Sequence, residues 1–119
     1  MNHLLALAIA VAACSSATAA EHPIRLAIAP GKVGEACMAL DAGDTLAWRF
    51  KASRASDFNL HQHVGNEVMM PIERKAVSED AAEHKVDRAN EWCLMWTASA
   101  GKKPVTVNGA WQVKKAAAK

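Results

Sequence analysis

The chain has 119 residues, 51% of them apolar, and its 14 Lys and Arg nearly balance 12 Asp and Glu for a net charge of +2. Such even charge argues against a nucleic-acid partner, and the length allows one domain with one core. Its longest apolar run, Leu4 to Ala13, is only about ten residues and too short to span a bilayer.

That run and the small residues after it read as a signal peptide over residues 1–20, with residues 21–119 as the mature domain. Ala17, Thr18 and Ala19 form an A-x-A site that would leave Ala20 as the new amino terminus; a cut one residue later is the neighbouring choice. Val11 to Cys14 also resembles a lipobox, in which Cys14 would be acylated and the protein anchored to the outer membrane. Either route places the chain outside the cytoplasm, as a periplasmic or secreted protein. A start at Ala20 would set His22 in third place, where a free amine, two amides and an imidazole can wrap a square-planar Cu(II) or Ni(II).

Past the signal, the dominant period is two. A strand around Cys37 ends at the turn residues Asp41, Ala42, Gly43 and Asp44. Thr45 to Ala52 then alternates, with Leu46, Trp48 and Phe50 on one face and Thr45, Arg49 and Lys51 on the other. Arg54 to Ser56 is expected to separate it from a third strand, Asp57 to Val64, which turns at Gly65-Asn66 into Glu67 to Ile72. A two-residue loop there sets His63 opposite Val68 and His61 opposite Met70. His61, His63 and Met70 then share one face, and two imidazoles with a thioether suit copper far better than calcium or magnesium. The structural alternative is an exposed or hydrogen-bonded histidine pair with a methionine that fills space.

Ser78 to Asn90 is charged and Ala-rich, which fits a short surface helix begun by Ser78 or a solvated loop. Trp92, Leu94 and Trp96 resume the strand period around Cys93; with Trp48 these tryptophans are assigned to the core. Val105 to Val107 and Ala110 to Val113 read as a hairpin about Asn108-Gly109, with Trp111 as a partly exposed contact residue. Strands this short and closely spaced point to an all-β antiparallel sandwich. Cys37 and Cys93 are the two cysteines left after signal removal, and in an oxidising compartment they are expected to pair. Closing that loop stabilises the fold by about 4 kcal/mol in the chain-entropy model. Their alternative role is as thiolate metal ligands.

With the strands placed, the cysteine strand, the acidic Gly turn, Leu46-Ala47-Trp48-Arg49-Phe50, Asp57-Phe58-Asn59-Leu60 and the closing Cys93 strand together resemble the GOLD domain of p24 cargo receptors. The resemblance implies a disulfide-pinned sandwich that binds proteins or other ligands without catalysis. Catalytic signatures are missing: no Gly-rich phosphate loop and no nucleophile elbow occur. The first expectation is therefore a non-catalytic module for a protein or small ligand; a copper-handling protein and an inhibitor of a secreted hydrolase are the alternatives.

Overall fold

The computed structural model describes residues 19–117. Most of the segment read as a signal peptide, including the lipobox-like Val11 to Cys14, lies outside the described residues. Six antiparallel strands follow: β1 (His22–Ile28), β2 (Val33–Leu40), β3 (Thr45–Val64), β4 (Glu67–Lys85), β5 (Asn90–Ala98) and β6 (Val105–Lys114). They form one sheet in the order β1-β6-β3-β5-β2, with β4 on the other edge of β3. The expected all-β antiparallel fold is what forms, and a single curled sheet supplies both of its layers.

β3 organises that curl. Thr45 to Ala52 pairs with β6, and Ser56 to Gln62 pairs with β5, along the same edge. The break between Arg54 and Ser56 expected from the polar sequence is therefore a handover inside one strand. Arg54 secures it by donating to Ser99 Oγ and to the carbonyls of Ser99 and Lys103 in the loop between β5 and β6. β1 and β2 close the curl: a Cβ on Gly34 of β2 would come within 2.8 Å of the Ile28 side chain of β1.

Inward-facing residues of every strand fill the concavity. Leu46, Trp48, Phe50, Phe58 and Leu60 of β3 meet Trp92, Leu94 and Trp96 of β5, Val105 and Val107 of β6, and Ile24 and Ile28 of β1. Phe58 lies between Phe50 and Trp96, with ring centroids 4.8 and 5.4 Å away. The three tryptophans assigned to the core are buried there. Cys37 and Cys93 face each other across β2 and β5 with Cα atoms 4.1 Å apart, and they are disulfide-bonded.

Two local expectations are corrected. Ser78 to Lys85 is neither helix nor loop but the far half of β4, paired with β3 from Lys51 back to Thr45. Its charges fit because β4 is an edge strand exposed along most of its length. Asn108-Gly109 is not a turn: β6 runs straight through it, between Arg25 and Ile24 of β1 and Lys51 and Phe50 of β3. A Cβ at Gly109 would lie against the Arg49 carbonyl oxygen, so the glycine serves close strand approach.

Candidate functional site

The β3–β4 hairpin reaches beyond its neighbours. β5 pairs with β3 only as far as Gln62, so Val64, Gly65, Asn66 and Glu67 form a free tip, with Gly65 at φ 61° as its turn requires. The base is held by polar contacts. Asn90 Nδ2 donates to Gln62 Oε1 at 3.1 Å and to the His63 carbonyl at 2.9 Å, and Gln62 Nε2 donates to Asp87 at 3.3 Å.

The edge of β4 changes character along its length. From Glu73 to Lys85 it carries charged residues throughout, and the left-handed Ala76 (φ 51°) interrupts its pairing, so the edge resists adding another strand. Val68, Met69 and Met70 are uncharged and remain 48%, 41% and 39% exposed. They make up three of the four large apolar side chains exposed among the described residues. An apolar, unpaired edge beside a hairpin tip whose base is hydrogen-bonded is chemically suited to a protein partner.

On the face behind this tip sits His61. The expected register holds near the turn, with Val64 opposite Glu67 and His63 opposite Val68, and then slips between Leu60 and Gln62. Pro71 explains the slip, because it has no N–H to give the ladder; Met70 and Pro71 together occupy the space opposite His61. Met70 is thus not the direct partner of His61. The two histidine rings do meet edge to face, with centroids 5.2 Å apart, but His61 is buried and His63 exposed.

His61 also has neighbours on other strands. Across β5 it pairs with Cys93, which pairs in turn with Cys37, so the disulfide and the imidazole form one row over three strands. His61 Nδ1 lies 2.8 Å from Asn59 Oδ1. An amide oxygen accepts, so Nδ1 donates to it, and Nε2 faces Glu35 Oε1 at 4.0 Å. Burial pushes the imidazole below its usual pKa; Glu35 opposes that shift and His63 adds to it. Glu35 could have been found only by knowing which strands adjoin, whereas Asn59, two residues before His61 on β3, shares its face by strand alternation.

His22 lies on β1 opposite Trp111, and their rings stack with centroids 4.0 Å apart. Trp111 is half-buried, and His22 covers part of the surface expected to be a contact. The outer face of β1, β6, β3 and β4 holds an open cleft of about 790 Å³ lined by Arg25, Arg49, Lys51, Glu79 and Asn108 among others. Arg49 is paired there with Glu21 at 3.0 Å.

No protein-family model matches the chain, and no curated protein matches it. Among solved structures it is similar to PliG of Aeromonas hydrophila, a periplasmic lysozyme inhibitor of g-type lysozyme. The TM-score is 0.56 at 12% identity, covering 81% of this chain and 88% of that one. At that identity the likeness concerns the fold. It overturns the resemblance to the GOLD domain. The residues behind that resemblance, a cysteine pair on neighbouring strands and alternating aromatics, are what any small disulfide-pinned β fold requires.

Proposed function

We propose that this protein is a non-catalytic, periplasmic inhibitor of a secreted hydrolase, and that it engages the enzyme through the β3–β4 tip. The observation that carries this reading is the exposed Val68-Met69-Met70 stretch on an otherwise charged edge, beside a hairpin tip fixed at its base by hydrogen bonds. A fold shared with a protein described as an inhibitor of g-type lysozyme supports it and names the first enzyme to test. A tip fixed at its base loses little freedom on binding, which favours affinity.

The experiment is a peptidoglycan-lysis assay with g-type lysozyme and the exported form of the protein. Inhibition is expected, and the combined change Val68→Ser, Met69→Ser and Met70→Ser should weaken it at least about tenfold. Because these side chains are exposed, the melting temperature should barely move. Full inhibition by the folded triple variant would remove the tip from the interface. Failure to inhibit or bind any secreted glycan hydrolase would sink the reading itself.

A further inference from the structure

We propose that when a thiol or phosphine reductant opens the Cys37–Cys93 disulfide, Cys37, Cys93, His61 and Glu35 become a four-ligand site for a thiophilic divalent cation such as zinc. Glu35, His61 and Cys93 present ligand atoms all within 4.8 Å of one another, and Cys37, Cys93 and Glu91 do the same. The two groups share Cys93, and Glu35 comes near the sulfur of each cysteine. Glu35 is on the same face of β2 as Cys37, with Oε2 3.5 Å from the Cys37 sulfur. Two thiolates, an imidazole and a carboxylate form a donor set that suits tetrahedral zinc.

His61 is already arranged as a ligand. Asn59 occupies Nδ1, and the remaining Nε2 faces a carboxylate oxygen at 4.0 Å. A hydrogen-bonded second nitrogen is how proteins orient metal-binding histidines. The oxidised sulfurs, bonded to each other, are not available as thiolates. A dithiol reductant gives up two electrons and two protons, becoming a disulfide while Cys37 and Cys93 become thiols; the cation then displaces the two thiol protons. Cys37 is exposed, so a reductant can reach it. A cation held by both sulfurs would restore the link between β2 and β5 that reduction removes. This inference is independent of the hydrolase reading.

The test uses the whole exported protein, either oxidised or reduced with a phosphine, titrated with zinc and with cobalt as the spectroscopic probe. The reduced protein should show a thiolate-to-cobalt charge-transfer band that the oxidised protein lacks, and zinc should raise its melting temperature. His61→Ala should weaken binding about tenfold or more. If reduction alone unfolds the chain, zinc must restore the native circular dichroism spectrum. A reduced protein with no band and no zinc-dependent gain in stability or structure would overturn the proposal. So would a His61→Ala variant that binds as tightly as the parent.

Discussion

Asp44 anchors the end of the sheet opposite the tip, and replacing it with Asn tests how much that anchor contributes. Its side chain has no exposed surface, and it accepts from Asp41 N at 2.9 Å, Lys115 Nζ at 2.7 Å and Ala116 N at 3.0 Å. These contacts tie the β2–β3 turn to the segment after β6. Lys115 above all, with the two backbone amides and against the cost of burial, lowers the carboxyl from 3.8 to about 2. Converted directly, that shift is at most about 2.4 kcal/mol. Lys115 is itself 64% exposed, so solvent screens its share, and about 1–1.5 kcal/mol is the reasonable expectation for Asp44→Asn. For a domain of this size that lowers the melting temperature by roughly 4–10 °C at pH 7. A folded pKa below the unfolded one gives a contribution that is complete above the unfolded value near 4 and drains away as pH falls toward 2. Urea unfolding of both proteins at pH 7 and pH 2.5 should therefore show the gap between them shrinking at the lower pH. A gap of the same size at both values, or none at pH 7, would refute the argument.

Gly109→Ala puts a methyl group against the Arg49 backbone and should cost about 3 kcal/mol or more in chemical denaturation, since two paired strands must move apart. Gly65→Ala, with a similar name but open space around it, carries only the left-handed backbone penalty of about 1 kcal/mol, measured in the same way. Removing the disulfide by Cys37→Ser with Cys93→Ser should lower stability by about 4 kcal/mol without zinc, read from the urea midpoint. Equal stability with and without the bridge would show that the unfolded chain is not restrained by it.

The parts of the fold that were legible from sequence are those in which one strand's own alternation decides the outcome. Leu46, Trp48 and Phe50 faced the core as their spacing required, and so did Trp92, Leu94 and Trp96. Cysteine arithmetic gave the pairing of Cys37 with Cys93 because only two cysteines follow residue 20. Errors came at residues that usually punctuate structure. Asn108-Gly109 and Arg54 to Ser56 carry turn chemistry locally, yet each lies inside a strand whose neighbours dictate its path. The charged Ser78 to Lys85 segment lacked a core-facing pattern because an edge strand overhanging the core has little to bury.

The register expected for the histidine and methionine stretch fails at a residue of the same kind. In a perfect ladder, His61 and Met70 would face each other, and a period of two would keep His61, His63 and Met70 together. One missing amide hydrogen at Pro71 is enough to insert an extra residue opposite His61, since the ladder cannot be completed through proline. On the β4 side, that leaves the methionines at an exposed edge, where their apolar surface is available to a partner. On the β5 side, His61 pairs with Cys93 of the disulfide row and lies near Glu35 of β2, while Asn59 of its own strand bonds its ring. A single bulge thus removes the direct pairing of His61 with Met70 that a perfect ladder would give, while Asn59, Glu35 and Cys93 border His61 and the methionines stay exposed on the edge strand.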